Sequence, residues 1–192
     1  MRAFIAIELP ESIKDGLSQI QSHLKYAGAD VKWVDRNNMH LTLKFLGETS
    51  DERIIRVKKT LDRLGELSGS FEISLKNAGA FPKIESPGVL WVGLDKGAKD
   101  STELAGRIDE ELSKTGFDKE SRPFTAHLTI GRVRSAKNRK ALAEKLSAVS
   151  IQPSAKDQLV TSVVLFQSTL TPNGAIYTKL HEARLKSSNR PG

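Results

Sequence analysis

Four stretches of the chain repeat apolar residues at the spacing of one helix face. They are Ile13, Leu17, Ile20 and Leu24; Ile54, Val57, Leu61 and Leu64; Leu104, Ile108 and Leu112; and Leu142, Leu146 and Val149. Each predicts an amphipathic helix. Start signals accompany three of them. Thr49 with Glu52, and Asp100 with Glu103, have the spacing of a reciprocal cap, and Ser135 is placed to cap the fourth. Between the helices lie runs rich in β-branched and aromatic residues that predict strands: Ala3 to Leu9, Val31 to Val34, His40 to Leu46, Phe71 to Ala78, Val89 to Leu94, Phe124 to Val133, Val160 to Gln167 and Ile176 to Leu185. Phe81-Pro82 and Pro87-Gly88 separate two of these runs, and Thr171-Pro172-Asn173-Gly174 reads as another hairpin loop, so the sheets should be mostly antiparallel.

One pattern occurs twice. His40-Leu41-Thr42-Leu43 and His127-Leu128-Thr129-Ile130 are nearly the same tetrapeptide, each in a predicted strand and each followed by a helix. Side chains alternate along a strand, so His40 and Thr42 share one face while Leu41 and Leu43 anchor the other, and the second copy divides likewise. A lone His-x-Thr is ordinarily a half-buried strand segment; two copies in matching contexts point to two similar lobes facing each other across a shared site. Two imidazoles with two hydroxyls form an acid–base device for a phosphodiester. One imidazole accepts a proton from water, the other donates to the departing oxygen, and the hydroxyls hold the non-bridging oxygens. Such a device needs no metal. His23 and His181 have no comparable company and read as structural or surface residues.

Composition narrows the picture further. A chain of 192 residues buries about 70% of its unfolded surface and needs no staple. The absence of cysteine removes disulfides, thiol nucleophiles and cysteine-bound zinc, and agrees with a cytoplasmic location. The opening apolar run is interrupted by Glu8 and Pro10, too short for a signal peptide or a membrane span. A formal charge of +7 favours an acidic partner. The densest basic stretch, Arg132, Arg134, Lys137, Arg139, Lys140 and Lys145, fits a solvated helix face as well as a nucleic-acid footprint. No His-Glu-x-x-His and no Gly-rich Lys-Ser/Thr loop is present.

The paired His-x-Thr-x motifs resemble those of the two-histidine phosphoesterase superfamily. The surrounding sequence is similar to its RNA 2′,3′-cyclic phosphodiesterase branch, also called 2′-5′ RNA ligases. The likeness runs from Arg2-Ala3-Phe4-Ile5-Ala6 through His40 to Gly47 and Arg122-Pro123-Phe124-Thr125-Ala126-His127 to Ser168 to Gly174 and Tyr177. It implies an α/β fold of the α+β type spanning residues 1–192 as a single bilobal domain. Mostly antiparallel sheets flanked by helices would be related by a pseudo-two-fold, with the motif strands facing a central groove. It further implies that a terminal 2′,3′-cyclic phosphate is opened to a 2′-phosphate without metal or cofactor, by His40 as proton donor and His127 as proton acceptor, with Thr42 and Thr129 holding the phosphate. The reverse direction would be ligation. The partner would be RNA ending in a 2′,3′-cyclic phosphate, tRNA fragments among the candidates, with no membrane and no obligate protein partner.

Arg132 occupies the place of a substrate-binding arginine in that family. Strict alternation turns it away from His127, so the role requires a bulge at Gly131. Phe4 is a candidate for stacking a base, against the ordinary expectation that an aromatic in a first strand is core. Ala126 departs from the proline common in the family before the histidine. Two alternatives remain open: a non-catalytic RNA-end binding module, and a phosphodiesterase for small cyclic phosphates.

Overall fold

The computed structural model describes residues 1–151, 158–172 and 174–187. Asn173, part of the expected hairpin loop, lies outside them. The elements in order are β1 (Arg2–Glu8), α1 (Glu11–Lys25), β2 (Val31–Trp33), a 3-10 turn (Arg36–Asn38), β3 (His40–Glu48), α2 (Asp51–Leu67), β4 (Phe71–Ile73), β5 (Leu75–Lys83), β6 (Ser86–Leu94), α3 (Ala98–Ser113), β7 (His127–Val133), α4 (Arg139–Ser147), β8 (Gln158–Val160), β9 (Ser162–Thr171) and β10 (Gly174–Arg184). Among the described residues no helix is long and apolar enough to cross a membrane.

Two four-stranded sheets carry the fold, in the orders β10-β9-β1-β3 and β2-β7-β6-β5, and every named strand pair is antiparallel. Strands β4 and β8 form a separate short pair. Helices α2 and α3 pack beside the first sheet and α1 and α4 beside the second. The helices bury the stripes their periodicity predicts, except that Ile20 is only partly buried, with Gln21 beside it taking the buried place on α1, and Val149 lies partly buried beyond the end of α4. The halves of the chain are interleaved: β9 and β10 complete the sheet begun by β1 and β3, while β7 joins one built from β2, β5 and β6. The two sheets are therefore not built from successive pieces of sequence, a consequence of non-local pairing that local patterning does not encode.

The three expected caps are replaced by neighbours. Ser50 caps α2, accepting from the Arg53 amide at 3.4 Å, while the Thr49 hydroxyl donates to the Leu46 and Gly47 carbonyls where β3 ends. Helix α3 starts earlier than expected, after Gly97 in the left-handed region at φ 75°, where an added Cβ would sit 2.5 Å from the Glu72 carbonyl. Asn138, also left-handed, precedes α4, and Ser135 instead accepts from the Lys137 amide. Two expected strands are each divided, Phe71 to Ala78 at Ser74 and Val160 to Gln167 at Thr161, and residues 124–126 lie outside β7.

Lys44 ties the first motif strand to α3. A bulge at Leu43 turns it to the helix side, where its buried ammonium donates to the Asp109 carboxylate at 2.5 Å and to the Asp118 carbonyl at 2.8 Å. Burial pushes the Asp109 carboxyl up, but Lys44 and the Glu120 amide more than reverse this and hold it below its ordinary value. Lys44→Met keeps the aliphatic stem, takes the ammonium from both acceptors and leaves Asp109 only the Glu120 amide. A stability loss of about 2 kcal/mol is expected by chemical denaturation. A change under about 0.5 kcal/mol, the size of an ordinary surface substitution, would refute this role.

Candidate active site

The two motif strands show the alternation the sequence implies. Leu41, Leu43, Leu128 and Ile130 are buried in the main core, while His40, Thr42, His127 and Thr129 are half-buried on the opposite faces. Helices occupy the core side of each sheet, and β3 lies against β7. The faces carrying the histidines and threonines are therefore the helix-free ones, and the groove is the open space beside them.

Each imidazole is oriented by the same device. His40 Nδ1 donates to the Asn38 carbonyl at 2.8 Å, and His127 Nδ1 donates to the Thr125 carbonyl at 2.7 Å, in both cases two residues upstream. A carbonyl can only accept, so Nδ1 carries the hydrogen and Nε2 is left for chemistry. Neutral, Nε2 offers a lone pair; protonated, it offers a donor. The turn supplying the Asn38 carbonyl is itself fixed. Asp35 caps it through the Asn37 amide, Asn38 Nδ2 donates to the Ala175 carbonyl of β10 at 2.8 Å, and Arg36 pairs with Glu11 and with Asp15 on α1.

Surroundings distinguish the two rings. His40 lies against Phe4, at 4.8 Å between ring centroids, with Tyr177 edge-on at 5.3 Å. This apolar cover lowers its pKa from 6.5 to about 4, because burial opposes the cation and the Asn38 carbonyl compensates only in part. On its own this environment keeps His40 neutral at pH 7. His127 meets Phe81 edge-on at 5.1 Å.

Arg132 reaches the groove by the bulge that its role requires. Leu90 pairs with Gly131 and Trp91 with Thr129, leaving Ile130 as the extra residue, so Arg132 is turned onto the histidine face. Gly131 is needed there because a Cβ would come within 2.8 Å of Val31 on β2. Gln21, buried on α1, pins the bulge by donating to the carbonyls of Ile130 and Val34, both at 2.8 Å. Beyond the bulge, a cavity of about 750 Å³ is lined by His40, Arg132, Tyr177, Phe166, Lys14 and Lys32, among others. Its volume suits a nucleotide. Burial raises the pKa of the Tyr177 hydroxyl above its ordinary value, and Arg132 and Arg2 offset this only in part.

The structure thus brings His40 and Arg132 into one cavity, while Thr42, His127 and Thr129 are not among its lining residues and face the groove by strand alternation. Phe4 corrects the base-stacking expectation. It is only 3% exposed, in a small cluster with Ala6, Val164, Phe166 and Tyr177, and it supports the His40 ring. Tyr177 and Phe166 offer the aromatic surface instead; sequence reasoning assigned neither a role, although alternation in β9 and β10 could have placed them. The rest of the basic stretch is elsewhere: α4 packs on α1, β5 and β6 and buries Leu142 and Leu146 in the main core, behind the sheet. His181 pairs with Asp62 at 2.6 Å and His23 is exposed, both apart from the groove.

Matched imidazoles and hydroxyls on two adjoining strands, with an arginine beside them, define a two-histidine phosphoesterase. The chain belongs to the LigT like phosphoesterase family, whose sequence pattern matches it twice, over residues 7–91 and 92–177. It is similar to the RNA 2′,3′-cyclic phosphodiesterase of Methanothermobacter thermautotrophicus, 37% identical over 96% of this chain and 99% of that protein. The protein of the same name from Aquifex aeolicus is 36% identical over 95% of this chain and 96% of that protein. Among solved structures, TT0787 of Thermus thermophilus superposes with a TM-score of 0.81 at 25% identity, covering 98% and 100% of the two chains. Escherichia coli LigT complexed with 3′-AMP gives 0.75 at 27% identity, covering 96% and 97%.

Proposed function

We propose that the protein opens the 2′,3′-cyclic phosphate at the end of an RNA to a 2′-phosphomonoester by metal-independent acid–base catalysis. The observation that carries this is the matched orientation of the two histidines, each with Nδ1 committed to the carbonyl two residues upstream and Nε2 free. The names of its relatives and the nucleotide in the E. coli LigT complex support the same class of substrate.

In the reaction, water attacks phosphorus as the P–O3′ bond breaks. His127 Nε2 takes the proton from water and His40 Nε2 gives one to O3′. Thr42 and Thr129 hydroxyls donate to the non-bridging oxygens, where charge accumulates, and Arg132 binds the phosphate or the terminal nucleotide. Because the apolar cover of Phe4 and Tyr177 keeps His40 neutral, its proton must arrive with the substrate, whose negative charge offsets that cover. Ligation is the same chemistry with a ribose 5′-hydroxyl in place of water.

The test is product analysis on a short RNA ending in a 2′,3′-cyclic phosphate, in EDTA. Conversion to a 2′-phosphate is expected. Binding without conversion would favour an RNA-end binding module, and conversion of cyclic mononucleotides alone would favour a small-molecule phosphodiesterase. Loss of activity in EDTA that returns on adding a metal would overturn the metal-free step.

A further inference from the structure

Strand β2 is an edge of the second sheet, and it pairs with the half of β7 remote from His127: Val31 with Val133, Lys32 with Arg132 and Trp33 with Gly131. Residues directly opposed in an antiparallel pair point to the same side, with Cβ atoms about 5 Å apart. Lys32 therefore stands beside Arg132 on the histidine face, at the edge of the sheet, and both side chains line the cavity that holds His40.

Like charges set directly across a ladder repel and weaken the pairing, so this arrangement costs the fold something for as long as no anion offsets it. Neither Lys32 nor Arg132 forms an ion pair among the described residues. The other charged groups around the cavity are engaged: Lys14 pairs with Glu11 at 3.3 Å, Glu8 with Lys179 at 2.6 Å, and Asp35 accepts from the Asn37 amide as the cap of the turn before His40. Two uncancelled cations side by side call for two negative charges. The cyclic phosphate brings one, and Arg132 is there to bind it. A cyclic mononucleotide with a 5′-hydroxyl has no other, whereas in an RNA chain a phosphodiester joins the terminal nucleotide to the one before it, one ribose away from the reacting phosphorus.

We propose that Lys32 is the seat for the phosphodiester preceding the terminal nucleotide, so that the cross-strand pair Lys32–Arg132 selects an RNA chain over a cyclic mononucleotide. The seat rests on the reaction proposed above and extends it to the length of the substrate. An ammonium on a four-carbon stem meets a phosphate as a point charge and makes no demand on the base beside it. Lys32 thus reads the presence of a chain and not its sequence.

The experiment measures kcat/KM on two dinucleotides ending in a 2′,3′-cyclic phosphate, one with an ordinary phosphodiester between its nucleosides and one with an uncharged methylphosphonate there. Bases, sugars and the reacting phosphate are the same, so the ratio of the two values reads the linking charge alone. Wild type should favour the charged linkage by about tenfold, the size of one charge-assisted contact. Lys32→Gln should abolish that preference and Lys32→Arg should keep it. Lys140→Gln removes an equal charge from α4, behind the sheet, and should leave the preference as in wild type. A wild type indifferent to the linkage, a preference that survives in Lys32→Gln, or one that falls equally in Lys32→Gln and Lys140→Gln would overturn the seat. A wild type that opens neither dinucleotide would instead overturn the proposed reaction beneath it.

Discussion

His40→Ala and His127→Ala are each expected to lower kcat on an RNA 2′,3′-cyclic phosphate by about 10²–10⁴-fold, the usual contribution of a positioned proton-transfer group. The two transfers occur in one displacement, so the double variant should fall little below either single variant rather than by the product of the two losses. His127 is flanked by Phe81 at the groove and its removal opens no core. His40 covers Phe4, so its alanine variant needs a melting curve beside the rate. Single-turnover rates with saturating protein read the chemical step directly. A residual rate above about a tenth of wild type in either variant is too much for the loss of a proton-transfer group, and would show that the surviving imidazole suffices.

The site was legible where its logic is local. Period-two alternation placed His40, Thr42, His127 and Thr129 opposite their buried leucine and isoleucine neighbours, and the strands keep that division. Gly131 likewise announced the bulge that Arg132 needs, since a glycine inside a strand marks a kink or a close approach, and β2 makes that approach through Val31. What escaped is non-local. The carbonyls that orient the imidazoles belong to a turn and a loop whose backbone directions no periodicity encodes. Phe4 looks the same in sequence whether it lines the groove or underlies a histidine; Phe166 and Tyr177, contributed by strands more than 150 residues later, help to bury it. The missed caps have a smaller cause. Ser50 competes with Thr49 for one role, and β3 runs to Glu48, leaving Thr49 to satisfy strand-end carbonyls while Ser50 is positioned at the first turn.

Acid should weaken the fold through His40 well before the carboxylates titrate. The ring is held at about 4 in the folded protein against 6.5 when free of its surroundings. Between those values the unfolded chain binds a proton that the folded chain refuses, so stability rises with pH across this window and is fully present above about 6.5. Lowering the pH from 7 to 4 should therefore remove about 3 kcal/mol of unfolding free energy through this one residue. The cause is the apolar cover of Phe4 and Tyr177, which is what the fold exchanges for a histidine with a fixed orientation. Denaturant titrations at pH 7, 5.5 and 4.5 test it. Wild type should lose stability progressively over this range, and His40→Ala should lose less by about the same increment. An equal slope in the two proteins would place the acid sensitivity elsewhere. A bound phosphate analogue should flatten the wild-type slope, because an anion beside Nε2 stabilises the imidazolium in the folded state and narrows the gap from the unfolded one.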